Sequence, residues 1–283
     1  MRRVFFFALL VSVFTATSLA TTIHVPGDQP TVQAGLNIAT ADDTVLVANG
    51  TYLENIIWPA VNGIKLIGGG EEDCFLNGDS LASVIRFEAV GQIIDTTTLI
   101  SGFTIQNGYA HGDYPYCYGG GIYCNSACPS LASVTIIGNT ASSGGAVFCC
   151  YLSHPALTNV TITNNSASAN GGGIRCYESS PSMVNVIIAE NSACRGGGIN
   201  CTSHSGPNLT NVTINNNTAS IEGGGIYCYS FANPSLLNVT ISDNTASIDG
   251  GGVSCKSFAN PNLSDVAITG NSAGWHGGGV YCD

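Results

Sequence analysis

The sequence predicts an all-β protein that folds as a right-handed parallel β-helix, a solenoid of ~26 residues per coil and ~9–10 coils with a short N-terminal capping helix. Two observations predict this fold: a glycine block that recurs at nearly constant spacing, and short valine and isoleucine strands between the blocks. Glycine accounts for 36 of the 283 residues and charged residues for only 9%, against ~25% in an average chain. This composition disfavours a coiled coil or an ordinary helical protein.

The main repeat is a Gly-Gly-Gly-hydrophobic-x-Cys block, in which Ala146 once replaces the third glycine. Its cysteines, 25 or 27 residues apart, are Cys124, Cys149, Cys176, Cys201, Cys228, Cys255 and Cys282. A unit of this length spans about 86 Å when extended, which suits one circuit of a coil with bent corners. A unit this short cannot bury its own apolar face, so neighbouring units must stack. A leucine-rich repeat needs a different leucine pattern, and a propeller blade needs ~40–45 residues.

A second pattern lies between the blocks, where a valine and an isoleucine two residues apart follow each proline. This alternation predicts a strand with both side chains on one face. Three residues after each isoleucine comes an asparagine, and Ser or Thr and then Ala follow it. These asparagines are Asn139, Asn165, Asn191, Asn217, Asn244 and Asn271. A side-chain amide both donates and accepts, so we expect a structural asparagine ladder at a corner of the coil, with Asn107 as its first member.

The N-terminal region divides into a targeting segment and a cap. Residues 1–20 combine a basic start, an eleven-residue apolar run and small residues before a cleavage site, which is typical of a secretory signal peptide. Residues 21–113 are predicted to form the cap and the first coils. Within them, residues 31–39 place Val32, Leu36 and Ala39 at helical spacing. Strands are predicted at 44–47, 64–67, 84–87 and 98–105.

Residues 114–283 form the regular repeats, and the sequence ends inside a repeat at Asp283. Stacked repeats generally need a polar terminal unit to protect the open edge. We therefore expect the C-terminal end to be truncated, so that the chain continues in a longer surface protein. The alternatives are that a partner or self-association covers the last coil.

The charge balance limits the partners. Seven Lys and Arg against 18 Asp and Glu give a net charge of −11, which excludes the basic footprint of a nucleic-acid-binding protein. Five basic residues remain after residue 20, and no second long apolar run follows. The mature chain is therefore predicted to lack a transmembrane segment and to be extracellular or associated with the cell surface or outer membrane.

The repeats carry a family resemblance. The Asn-Ser/Thr-Ala turn followed by Gly-Gly-Gly-Ile resembles the repeat of polymorphic outer membrane proteins. The N-terminal segments from Ile23 to Leu36 and from Asp43 to Tyr52 resemble the start of pectin-lyase-like β-helix proteins of bacterial surfaces and secretions. The resemblance implies a fold more than an activity, because that superfamily contains lyases, hydrolases, adhesins and inert surface proteins.

The seven block cysteines have two interpretations. They are small apolar fillers of a tight interior, or some pair as disulfides between stacked coils, since export permits disulfides and the strand spacing lies within the Cα range of a disulfide. The absence of a Cys-x-x-Cys motif disfavours zinc.

A variable column precedes each glycine block and is expected to face solvent. Its members are Tyr118, Ser143, Asn170, Arg195, Glu222, Asp249 and His276. Four of them, Arg195, Glu222, Asp249 and His276, are the candidate catalytic residues, since two acids one coil apart suit general acid–base chemistry or calcium. The alternative is a charged surface strip without chemistry.

The enzyme motifs of related folds are missing. Asp42-Asp43 is the only adjacent pair of aspartates, and there is no Arg-Ile-Lys as in polygalacturonases. The sequence therefore favours a non-catalytic, adhesin-like or carbohydrate-contacting scaffold without cofactor or metal, whose partner is a polysaccharide or a host or cell-surface ligand. Outward Tyr123, Phe148, Tyr177, Tyr227, Tyr229 and Tyr281 would stack on sugars, and Arg175 would contact an acidic sugar. The alternative is a polysaccharide lyase or glycoside hydrolase with a divergent active site.

Overall fold

The computed structural model describes residues 19–88 and 94–283. Most of the predicted signal peptide, residues 1–18, lies outside the described residues. Within them the chain forms a parallel β-solenoid of about eight turns, against the nine to ten coils expected, and every strand pairing is parallel. The N-terminal levels are incomplete because strands on one of the three sides begin only at Thr140.

Three parallel sheets form the walls in the described ranges, and each takes its name here from a column of its residues. The valine sheet comprises Thr22–Val25, Thr44–Val47, Gly50–Leu53, Lys65–Ile67, Cys74–Asn77, Leu99–Gln106, Ser130–Ile137, Ala156–Thr163, Ser182–Val184, Ile187–Ala189, Asn208–Thr210, Thr213–Asn215, Ser235–Ser242 and Asn262–Thr269. The alanine sheet comprises Thr140–Ser143, Ser166–Asn170, Ser192–Arg195, Thr218–Glu222, Thr245–Ala246 and Ser272–Ala273. The cysteine sheet comprises Ile56–Ile57, Ile85–Phe87, Ile122–Asn125, Val147–Cys150, Ile174–Tyr177, Ile199–Thr202, Ile226–Tyr229, Val253–Lys256 and Val280–Cys282.

The interior consists of identical side chains stacked in columns. Val134 pairs in register with Val160, and Ile136 with Ile162, one coil further on. All four side chains are buried, as the alternation of the strands predicts. The predicted strands at 44–47, 64–67, 84–87 and 98–105 correspond, within one residue at each end, to strands of the structure.

The asparagine column closes the corner between the valine and alanine sheets. Asn191 donates from its backbone N–H and from Nδ2 to Oδ1 of Asn217, both at 3.0 Å, and also from Nδ2 to the Ile162 carbonyl at 3.0 Å. Its own Oδ1 accepts the same two bonds from Asn165. One buried amide thus satisfies an N–H and a carbonyl of the preceding coil where the strands bend and the sheet ladder stops.

Asn107 does not lie in this column. It takes the place of Gly138, with a left-handed φ of 55° against 66° for Gly138, because it follows Ile105 by two residues instead of three. Gly108 occupies the column position, and its backbone N–H donates to Asn139 Oδ1 at 2.8 Å. The expectation that Asn107 begins the ladder was therefore wrong by one residue.

A second asparagine ladder runs along the outside of the valine sheet. Asn185 donates to Asn159 at 3.1 Å, Asn211 to Asn185 at 3.1 Å and Asn238 to Asn211 at 2.9 Å, each through the side-chain amide. All four residues are exposed and have positive φ, which asparagine tolerates better than most residues. They bend each long strand near its centre.

The glycine block lies where consecutive coils approach most closely. A Cβ on Gly197 would lie 2.5 Å from the Thr218 carbonyl oxygen and 2.6 Å from that of Gly224. No side chain fits at such distances, which explains why the second glycine of the block is present in all seven copies.

The N-terminal end is covered by helix α1 (Val32–Ile38), as predicted, with Val32 and Leu36 buried. The Glu54 carboxylate accepts the backbone N–H groups of Val32 and Gln33, both at 2.8 Å. The Gln33 amide in turn closes the edge of the cysteine sheet: it accepts from the Ile57 N–H at 2.8 Å and donates to the Ile57 carbonyl at 3.0 Å. A side chain thus replaces a neighbouring strand at this edge. No helix in the described ranges is long and apolar enough to cross a membrane.

We expect Asn191→Ala to lower the free energy of unfolding by about 2–4 kcal/mol, because it leaves several buried backbone and amide groups without partners. The midpoint of urea denaturation measures this loss. Ser192→Ala is the matched control, since Ser192 is exposed and its hydroxyl donates only to that of half-buried Ser166. An equal effect of the two substitutions would show that the column does not stabilise the corner.

We expect Gln33→Ala to accelerate hydrogen exchange of the Ile57 amide, because that N–H loses its acceptor. Gln33→Glu keeps an acceptor oxygen and should preserve most of the protection. Residue-resolved hydrogen exchange at neutral pH measures both. Unchanged exchange in Gln33→Ala would mean that the glutamine does not close the edge.

Candidate functional site

The outer face of the cysteine sheet carries a trough. Between the inward hydrophobic residue and the inward cysteine, each strand turns one side chain outward; in order these are Tyr123, Phe148, Arg175, Asn200, Tyr227, Ser254 and Tyr281. Three of the aromatic residues expected to present exposed stacking surfaces are buried: Tyr123 is 0% exposed, and Phe148 and Tyr227 are each 6% exposed. They point outward as predicted, but the flanking columns cover them. Phe148 and Tyr227 therefore form part of the floor of a trough, whereas Tyr123 is fully buried and lines neither of its cavities.

An aromatic cleft of about 190 Å³ occupies the N-terminal part of this trough. Its principal residues are Tyr114, Tyr118, Phe148, Tyr151, Arg175 and Tyr177. The rings of Tyr118 and Phe148 stack with centroids 4.6 Å apart, and Tyr151 meets Tyr177 edge-on at 5.9 Å. The hydroxyls of Tyr114 and Tyr151 are 3.0 Å apart, and this hydrogen bond raises the pKa of Tyr151 to about 12. The cleft thus combines apolar ring faces with hydroxyl groups at its rim.

Arg175 lies at the inner end of the aromatic cleft. Its guanidinium lies 5.9 Å from the centroid of the Tyr177 ring and donates to the Asn200 side-chain oxygen. Among the described residues, no carboxylate lies within 4.0 Å of it. Burial lowers the pKa of Arg175 from its ordinary value. The cleft therefore contains a cation without an anionic partner.

The variable column stacks in register, as its spacing implies: Tyr118, Ser143, Asn170, Arg195, Glu222, Asp249 and His276 are successive neighbours. The expectation that it faces solvent was wrong for Ser143, which is 5% exposed, and for its two acids. Glu222 is 8% and Asp249 6% exposed, while the side chains of Arg195 and His276 remain largely accessible. Position in the repeat did not reveal the burial of Glu222 and Asp249, because a side chain from another column covers both carboxylates.

That side chain is Lys256, which the sequence did not single out. Its Nζ lies 2.7 Å from Glu222 Oε1 and 3.5 Å from Asp249 Oδ2. Burial opposes its charge, but the hydrogen bond and charge of Glu222 outweigh this, so the pKa of Lys256 is raised. His276 Nδ1 lies 2.8 Å from Asp249 Oδ1. The four candidate catalytic residues are thus brought together, with Lys256 among them.

A polar cavity of about 490 Å³ adjoins the aromatic cleft and shares Asn170 and Arg175 with it. Its principal residues are Asn170, Arg175, Arg195, Thr202, Glu222 and Lys256. Buried Asn200 organises its floor: it accepts from Arg175, and its Nδ2 donates to Asn170 Oδ1 at 3.3 Å and to the Arg195 carbonyl at 3.1 Å. The two cavities together form one trough along the solenoid axis, aromatic at one end and charged at the other.

The cysteine column lies on the opposite, inward side of the same strands. Each cysteine pairs in register with the next, and six of the seven are buried. All twelve cysteines, which lie within the described ranges, are free thiols. The hydrogen bond with Cys124, together with burial, raises the pKa of Cys149. No group of three or more His, Cys, Asp or Glu residues in the described part is placed to hold a metal ion.

A comparison with protein-family models matches residues 121–282 to the right-handed β-helix region. No curated protein sequence matches the chain significantly. The finer resemblance to repeats of polymorphic outer membrane proteins stays a prediction. With its solenoid of parallel strands, and with more than half its length matched, the chain belongs to the right-handed β-helix family.

Proposed function

We propose that the protein is an exported, non-catalytic scaffold that binds carbohydrate in the trough on its cysteine sheet. The observation that carries this proposal is the aromatic cleft, in which stacked tyrosine and phenylalanine rings surround an arginine without a carboxylate partner. Ligand sites are typically concave and lined by aromatic side chains with a few polar groups that fix orientation. The export part of the proposal depends on the signal-peptide pattern of residues 1–20.

The chemistry of the cleft suits a sugar ring. A pyranose has apolar C–H faces that pack on aromatic rings, and hydroxyls that exchange hydrogen bonds with phenols. At about 190 Å³, the cleft is smaller than the ~300–1,000 Å³ of a site that encloses a drug-sized ligand. It therefore suits one sugar unit, with the rest of the chain lying along the trough. Arg175 would bond to an acidic substituent of that chain.

A polysaccharide lyase or glycoside hydrolase is the second candidate function. The observation that favours it is the pairing of Glu222, which lines the polar cavity, with Asp249 one coil further on, beside Lys256. Two carboxylates flanking a sugar are the basis of glycoside hydrolysis. In this structure, however, ion pairs engage both carboxylates, an arrangement that favours a structural network over a free acid and base.

We expect Tyr177→Ala to weaken binding of the recognised oligosaccharide about tenfold, since it removes one wall of the cleft and ~1.4 kcal/mol is tenfold in affinity. Isothermal titration calorimetry against a panel of neutral and acidic oligosaccharides measures this change. Tyr109→Ala is the control, because it removes the same side chain from an exposed position that lines a different cavity. Failure of every oligosaccharide to bind saturably, or an equal loss in the control, would contradict the proposal.

We also expect no release of reducing or unsaturated ends when the bound oligosaccharide is incubated with the protein. A reducing-sugar assay and absorbance of unsaturated uronate ends measure turnover. Turnover that disappears in Glu222→Gln would instead establish the enzyme alternative.

A further inference from the structure

The few basic residues of this acidic chain converge on one place. After residue 20 the sequence contains five Lys and Arg, and three of them, Arg175, Arg195 and Lys256, line the polar cavity. The chain as a whole has a net charge of −11, so a random distribution would not concentrate cations here. A local excess of positive charge on an acidic protein attracts an anion.

The acids of the cavity do not balance these three cations. Lys256 is paired with both Glu222 and Asp249. Arg195 makes only a long contact of 3.8 Å with Glu222, and Arg175 has no carboxylate partner in the described ranges. Two carboxylates against three cations leave one positive charge, located at Arg175. A half-buried cation without a counter-ion loses part of its hydration without compensation, so an anion from the ligand would stabilise it.

Two uncharged hydrogen-bond donors at the cavity wall also lack an acceptor among the described residues. Thr202 is 8% exposed and its hydroxyl has no hydrogen-bond partner, which is unusual for a buried polar group. The Oδ1 of Asn170 accepts a hydrogen bond from Asn200 Nδ2, and the amide nitrogen of Asn170 has no acceptor among the described residues. Together with the two arginines, these groups give the cavity four side chains that can each donate a hydrogen bond.

We infer that the polar cavity seats a sulfate ester carried by the bound glycan, with Arg175, Arg195, Thr202 and Asn170 as its donors. This inference rests on the proposed carbohydrate binding and names the substituent that the trough selects. A sulfate ester offers three terminal oxygens and a single negative charge, which matches several donors from neighbouring coils and one excess cation. A carboxylate has two oxygens in one plane and leaves donors unpaired. A phosphate monoester carries about −1.5 to −2 charges near neutral pH, more than the excess cation balances beside Glu222.

The test compares one oligosaccharide in four forms: sulfated, desulfated, phosphorylated and carrying a uronate. We expect the sulfated form to bind at least tenfold more tightly than the desulfated parent, with an affinity that falls as salt rises. Thr202→Val should reduce this preference several-fold without unfolding the protein, since the hydroxyl makes no hydrogen bond in the free chain. Arg175→Gln should abolish most of the preference. Lys65→Gln, a change at an exposed lysine outside the trough, is the charge-matched control and should leave it unchanged.

The outcomes distinguish the inference of a sulfate seat from the proposal of carbohydrate binding on which it rests. If the desulfated form binds equally well and Tyr177→Ala still weakens it, carbohydrate binding stands and the sulfate seat is refuted. Tighter binding of the phosphorylated or uronate form would also overturn the inference, as would an equal loss of preference in Lys65→Gln. If no form binds, both proposals fail. Circular dichroism of each variant establishes that a lost preference does not come from a lost fold.

Discussion

Hydrogen bonding between stacked coils at the asparagine corner is the interaction on which the rest of the structure depends. Parallel strands satisfy their backbone groups along each wall, but the chain must bend where two walls meet, and the ladder stops there. The amide of Asn191 replaces it, because one side chain both donates and accepts. Each amide fixes the register of its coil against the next. From Asn139 to Asn271, the apolar and polar columns share the register of this corner.

That alignment constrains the inside of the solenoid much more than the outside. Inward positions meet identical neighbours above and below, so valine stacks on valine and cysteine on cysteine. Outward positions of the same strands change from Tyr123 to Arg175 to Ser254. The fold tolerates this variation because no interior packing depends on it. The outer face of the cysteine sheet is therefore where the chain can acquire a binding surface without losing its scaffold.

The same difference explains what could be predicted from the sequence. Helix α1 and the interior columns followed from periodicity alone, since each depends on spacing within one coil. Asn107 was placed wrongly because two adjacent corner positions differ in role: the first takes a left-handed backbone conformation and the second carries the ladder amide. Asn107 occupies the first of these positions. The burial of Glu222 and Tyr123 could not be predicted, because it depends on long side chains that reach over them from other coils. Lys256 and Arg86 supply that cover, and both occupy positions whose residue type varies from coil to coil.

The 27-residue coils contain two more residues than the 25-residue coils, and these two residues lie on the two sides of the trough. One extra residue enters the alanine sheet, where the register shifts between Ala193 and Arg195 opposite Glu222. The other enters after the cysteine, where Phe231 takes a left-handed conformation with φ of 60°. A bulge re-aims the side chains beside it, and bulges are frequent next to functional sites. The added residues leave the interior columns in register, so they change the direction of the side chains at the trough and little else. Variation in coil length and variation in outward residues thus act at the same place, the wall of the polar cavity.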